Sequence, residues 1–248
     1  MLQIHQFPCL ADNYGFLVHE PKSGATATID TPDAEEILRQ AAAKGWTLTD
    51  IWNTHWHPDH AGGNAAIKEK TGATVTGPAE VERIGQAPDR VVADGDVVRL
   101  GEAQARVLDV GGHTLGHVAF VFDAENVAFV GDALFALGCG RLFEGAPQQM
   151  WTSLQKLSAL PDATTLYCAH EYTESNLRFA LSVDADNPAL AARADEIAAL
   201  RRQSRPTVPM TLAQEKATNP FLRAPLLRPG LEPWAAFAEL RAAKDGFR

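Results

Sequence analysis

The chain has 248 residues, a formal net charge of −9 and a pI near 5.3, with 46% hydrophobic and 21% charged residues. That length supports one large domain, or one domain with an appendage, around a sizeable core. The acid balance argues against a nucleic-acid partner, which favours a basic face, and no apolar run reaches the length of a membrane span.

Three cysteines, Cys9, Cys139 and Cys168, are too sparse and odd in number for a disulfide framework. They point to a reducing compartment and a cytoplasmic protein. The start, Met1 to Leu10, lacks a basic stretch followed by an apolar one and reads as a strand, not a signal peptide. Nothing in the chain marks an obligate protein partner.

Strands are predicted over Leu2 to Phe7, Tyr14 to His19 and Ala25 to Asp30, separated by Asp-Asn and Lys-Ser-Gly turns. His5 and His19 stand alone there and are assigned to structure or surface. Thr31 then reads as an N-cap with Pro32 at the first helical position, and Lys44-Gly45 as the helix end. A strand follows over Leu48 to Asn53.

At its C-terminal end comes His55-Trp56-His57-Pro58-Asp59-His60, four potential metal ligands within six residues. Imidazole and carboxylate suit zinc and related divalent metals. Residues two apart in extended chain point the same way, so His55 and His57 reach one ion. Pro58 turns the chain, so Asp59 and His60 project elsewhere and serve a neighbouring ion.

Asn64 to Lys70 reads as a short helix stopped by Gly72, Ala73 to Thr76 as a strand, and Ala79 to Ile84 as one or two helical turns. Val97 to Leu100 and Gln104 to Val110 make a hairpin. In Gly112-His113-Thr114-Leu115-Gly116-His117, the histidines are four apart, but the glycines argue against a helix. His113, at a strand end, suits a ligand; His117 enters the strand Val118 to Phe122 and reads as structural. Val127 to Val130 pairs with that strand and ends in Gly131-Asp132, where the aspartate alone reads as a turn residue.

Gly138 to Gly145 is a glycine-rich loop without the lysine-serine ending of a phosphate loop. A helix over Pro147 to Ala159 and a strand over Thr165 to Cys168 lead to His170-Glu171-Tyr172. From Thr173 strand signals stop, and helices are predicted over Glu174 to Leu181, Pro188 to Arg202 and Pro233 to Lys244. The boundary gives a domain over 1–172 and a helical one over 173–248.

The assembled pattern resembles the metallo-β-lactamase superfamily, whose His-x-His-x-Asp-His motif is followed by a later His, Asp and His. Within it the chain is similar to glyoxalase II, the hydroxyacylglutathione hydrolases. Gly-Asp-Ala-Leu-Phe, Gly-Cys-Gly-Arg-Leu-Phe-Glu-Gly, His-Glu-Tyr-Thr and Asn-Pro-Phe-Leu-Arg carry that likeness over nearly the whole chain. The resemblance implies an α+β fold: a four-layer αββα sandwich, with a C-terminal helical domain. It implies that His55, His57 and His113 hold one divalent metal, that Asp59, His60 and His170 hold a second, and that Asp132 bridges them. Zinc comes first, and iron or manganese is tolerated by the same ligands.

The resemblance further implies hydrolysis of S-(2-hydroxyacyl)glutathione thioesters such as S-D-lactoylglutathione. A metal-bridging hydroxide attacks the carbonyl, yielding glutathione and D-lactate, as in methylglyoxal detoxification. Asp59 and Asp132 are the catalytic carboxylates, and Arg141, Phe143, Tyr172, Arg241 and Lys244 fall at substrate positions. Members of the family can carry Lys and Tyr where this chain has Arg141 and Phe143. Arginine keeps the charge, whereas phenylalanine loses a hydroxyl. Two rivals stand beside this reading: a persulfide dioxygenase-like oxidoreductase using a single iron, and a non-catalytic metal-binding module.

Overall fold

The computed structural model describes residues 1–247. The chain divides into two compact units, residues 1–109 with 116–131, and residues 110–115 with 132 onward.

In the first unit, β1 (Gln3–Cys9), β2 (Asn13–His19) and β3 (Thr26–Ile29) form an antiparallel meander. β4 (Asp50–Trp52), β5 (Thr74–Gly77) and β6 (Arg90–Val91) extend the same sheet in parallel. Parallel neighbours need crossovers. The helix α1 (Ala34–Lys44) joins β3 to β4, while α2 (Pro58–Ala61) and α3 (Asn64–Thr71) lie between β4 and β5. β7 (Val97–Leu100), β8 (Ala103–Asp109), β9 (Val118–Phe122) and β10 (Val127–Gly131) form an antiparallel run.

Strand alternation sorts the side chains into layers. On one face of the first sheet Phe7, Cys9, Leu17, Ile51 and Val75 pack with Ile37, Ala41 and Ile67 of the helices. The residues next in sequence point the other way, toward β9 and β10. Phe16 meets Phe129 at 5.5 Å, and Trp52 meets Phe120 at 5.2 Å and Phe122 at 5.7 Å between ring centroids. The first unit is thus layered helix, sheet, sheet.

The start of α1 differs from the sequence expectation. Its cap is Asp33, whose carboxylate accepts from the amides of Glu35 and Glu36. The Thr31 hydroxyl is taken by the Asn64 side chain at 2.8 Å, so it is not available to cap. The helix ends as expected at Gly45, which adopts a left-handed φ of 70°.

The second unit begins with the hairpin β11 (Leu134–Phe135) and β12 (Gly138–Cys139), so the glycine-rich stretch starts as paired strand. α4 (Pro147–Ser158) buries Met150, Leu154 and Leu157, as its spacing predicts. β13 (Thr165–Cys168) pairs antiparallel with β14 (Met210–Thr211), a strand inside the region where none was expected. Met210 is buried, and Thr211 closes a capping box on the next helix, so two residues suffice. The helices are α5 (Thr173–Val183), α6 (Pro188–Arg202), α7 (Leu212–Thr218), α8 (Ala224–Leu227) and α9 (Pro233–Asp245).

Buried polar groups tie these helices to the hairpin. Glu215 accepts from the Leu137 amide at 2.9 Å and pairs with Arg193. Asn219 donates to the carbonyls of Phe135 and Gly138. No described helix is long and apolar enough to cross a membrane.

Candidate metal centre

The first unit places its ligands beyond the C-terminal end of β4, where strands of open sheets end in binding loops. His57 is the N-cap of α2 and Pro58 its first residue, so Asp59 and His60 sit in the opening turn. Two pairs result. The Nε2 of His55 lies 3.0 Å from Nδ1 of His57, and the Nε2 of His60 lies 3.6 Å from Oδ2 of Asp59. His55 and His60 are buried, with ring centroids 4.0 Å apart.

A second layer fixes which nitrogen of each ring is bare. Asp30, at the end of β3, accepts from the Thr54 amide at 2.7 Å and the Thr54 hydroxyl at 2.8 Å. The same carboxylate lies 2.8 Å from Nδ1 of His60. A carboxylate only accepts, so the His60 proton sits on Nδ1 and Nε2 keeps a lone pair. The Thr54 hydroxyl spends its proton on Asp30, so it accepts from Nδ1 of His55 at 3.0 Å. Nε2 of His55 carries no proton for the same reason. Pinning the outer nitrogen and freeing the inner one is the arrangement of metal-binding histidines.

Three further residues hold this half in place. Asn13 donates to Oδ2 of Asp59 at 3.1 Å. His117 stacks on His55 at 4.6 Å, with the planes 20° apart. Gly131 has a φ of +49°, and a Cβ there would lie 2.6 Å from the Thr54 hydroxyl and 2.8 Å from His117 Nε2. Only glycine fits so close an approach.

The second unit brings together His113, Asp132 and His170. The two oxygens of Asp132 face different histidines: Oδ2 lies 3.3 Å from His113 Nε2, and Oδ1 lies 3.4 Å from His170 Nε2. Nδ1 of His113 donates to the Arg141 carbonyl at 2.8 Å, so its Nε2 too is a bare lone pair. A lone pair confronting a carboxylate calls for a cation between them. Gly140 allows the loop this close, because a Cβ would lie 2.2 Å from the Asp132 carbonyl.

The residues expected at the substrate lie around this half. Tyr172 stacks on His170 at 4.7 Å, nearly parallel, and Phe143 sets its ring edge-on to His113 at 5.2 Å. Arg241 is not on an open helix face: it is buried and donates to the Cys139 carbonyl at 2.8 Å. Lys244 donates to the carbonyl and hydroxyl of Ser175. Burial holds the Lys244 ammonium down at about 8, helped by the charges of Arg241, Arg178 and Arg141.

The cysteines are free and buried. Burial pushes their thiols up, to about 12 for Cys9 and Cys168 and about 11 for Cys139, so none is an activated nucleophile.

His55, His57, Asp59, His60, His113, Asp132 and His170 are all among the residues whose side chains could hold a metal ion. Sequence reasoning did not find Asp30, Thr54, Asn13 or the Arg141 carbonyl. Asp30 alone left a signal, being an aspartate at a strand end like Asp132.

Histidines with pinned outer nitrogens at strand ends, and a layered α+β frame, define a metallo-β-lactamase-type metalloprotein. Residues 24–170 match the metallo-beta-lactamase superfamily, and residues 171–247 match the hydroxyacylglutathione hydrolase C-terminus. Hydroxyacylglutathione hydrolases of Erythrobacter litoralis and Hyphomonas neptunium are 59% and 54% identical, each covering all of this chain, with 100% and 99% of their own lengths aligned. Among solved structures, ETHE1 from Myxococcus xanthus superposes with a TM-score of 0.70 at 25% identity, over 98% of this chain and 90% of that one. The chain belongs to the hydroxyacylglutathione hydrolase family, glyoxalase II, and has the metallo-β-lactamase fold with a C-terminal helical region.

Proposed function

We propose that the protein hydrolyses S-(2-hydroxyacyl)glutathione thioesters, S-D-lactoylglutathione among them, to glutathione and the free hydroxy acid. The observation that carries the reading is Asp132, whose two oxygens each face Nε2 of a different histidine. A carboxylate so placed serves two ions. His55, His57 and His113 would hold one and Asp59, His60 and His170 the other, with Asp132 shared. Zinc is the first candidate, and iron and manganese accept the same donors. When bound, such a pair supplies an acidified water and an electrophilic anchor for the carbonyl oxygen.

The chain's own groups do the rest. Asp59, steadied by Asn13, orients the water and receives its proton. Tyr172 and Phe143 wall the acyl end with aromatic surface. Arg141, Arg241 and Lys244 supply positive charge for the carboxylates of glutathione. A thiolate leaves readily, so no separate acid is required at the sulfur. Residues 1–172 form the catalytic part and 173–248 the helical substrate-binding part. Three buried thiols suit the cytoplasm. Family membership over the whole chain does not favour the single-iron oxidoreductase or the non-catalytic module.

Turnover of S-D-lactoylglutathione by metal-loaded wild type, and its loss in Asp132→Ala together with part of the bound metal, is the expected result. Wild-type turnover of a thioester lacking the glutathione moiety at the same kcat/KM would overturn the substrate assignment. Undiminished activity in Asp132→Ala would overturn the metal chemistry.

A further inference from the structure

The cationic end of the second unit holds a carboxylate that the proposed reaction does not use. Arg241 is 5% exposed, and its guanidinium lies over the Phe221 ring at 4.9 Å. One terminal nitrogen donates to the Cys139 carbonyl and the other to Oδ1 of Asp245, both at 2.8 Å, while its buried Nε has no hydrogen-bond partner. The Nε of Arg141 lies 3.8 Å from the same Asp245 oxygen. Lys244 is anchored next door on Ser175, and the charges of Arg241, Arg178 and Arg141 bear on it with Asp245 opposing them. Two guanidiniums therefore meet one acid, with Lys244 and Arg178 near by.

That acid does not serve its helix. Asp245 closes α9, where the helix dipole disfavours an anion. It also follows its arginine by four residues, the weaker order for a helical charge pair. Its side chain is 46% exposed, so it meets solvent while Arg241 does not.

We propose that Asp245 is a specificity-determining residue, an internal carboxylate that pairs with Arg241 beside Arg141 and competes with an incoming substrate carboxylate for the cation cluster. The proposal rests on the glutathione reading above. Its rationale is kinetic. Glutathione is both the handle of the substrate and a product, so a cluster of unopposed charge grips both alike. Such uniform binding adds nothing to turnover once substrate is plentiful. An internal competitor loosens the grip without removing the cations that recognise the ligand.

The test compares metal-loaded wild type with Asp245→Asn by calorimetric titration of glutathione and by steady-state kinetics on S-D-lactoylglutathione. The variant is expected to bind glutathione about three- to fivefold more tightly, the scale of a charge pair whose acid is open to solvent. Its KM falls by a similar factor, and its binding weakens more steeply with salt. Asp245→Glu restores wild-type affinity, and Asp245→Ser gives the same readout if the asparagine variant does not fold. Unchanged or weaker glutathione binding in a variant that melts like wild type overturns the proposal, because Asp245 would then be orienting the guanidiniums. Wild type that neither binds glutathione nor cleaves its thioester removes the glutathione reading, and this proposal with it.

Discussion

Asp30→Asn isolates the second layer from the ligands themselves. Asp30 has a φ of +58°, a left-handed conformation that asparagine tolerates and alanine does not, so the backbone is unstrained by the change. The amide oxygen still accepts from the Thr54 N–H. The amide nitrogen, however, now faces Nδ1 of His60 in place of the carboxylate 2.8 Å away. Donor would face donor, so the His60 proton moves to Nε2, the nitrogen otherwise bare for metal. Two routes give the magnitude. Losing one hydrogen bond to a charged group costs about 1.5–3 kcal/mol. Losing an outer-layer partner of a metal-binding histidine costs about 10- to 100-fold in affinity or activity. Both centre near 2 kcal/mol, about 30-fold. Chelator competition on wild type and variant reads this directly, and excess metal should restore much of the lost turnover. Metal affinity within about twofold of wild type would refute the tautomer argument. A metal-free variant that melts far below metal-free wild type would reassign Asp30 to folding.

Gly131→Ala forces a side chain into a left-handed position, about 1–2 kcal/mol before any clash with Thr54 and His117 is counted; a lower melting temperature with weakened metal retention is expected. Lys244 carries its charge below about 8 and loses it above, so KM for the anionic thioester should rise as pH passes that value while Lys244→Met shows no such rise. A pH profile of KM that is the same in both proteins would deny Lys244 a part in binding.

The ligand half in the first unit is legible because donor type and spacing coincide. His55, His57, Asp59 and His60 need only a strand, a proline and a turn to converge, and all three are local. Element limits are legible where caps are strong: Asn187-Pro188 opens α6 at the expected residue. The remainder is tertiary. Asp30 acts on His60 thirty positions away, and no local pattern pairs them. Arg141 contributes a backbone carbonyl, which its side chain does not advertise. Arg241 and Lys244 share a helical spacing, yet only Lys244 keeps an exposed face, because Cys139, Asp245 and Phe221 enclose the arginine. β14 is two residues long and exists because β13 offers an edge for Met210 and Thr211.

The outer-layer partners also bear on why the chain's donors do not single out one metal. The outer nitrogens rest on three kinds of acceptor: a carboxylate for His60, a hydroxyl for His55 and a backbone carbonyl for His113. A carboxylate partner makes an imidazole the most basic of the three, and ligand basicity tunes the metal. Under the proposed grouping, His60 shares its ion with Asp59, so one position combines the most basic imidazole with a carboxylate of its own. The other has three histidines, of which His55 and His113 rest on neutral acceptors. The two positions are then unequal in charge and basicity, the first suited to harder cations and the second to zinc. Under the proposed grouping, that inequality would let the two positions hold different divalent metals.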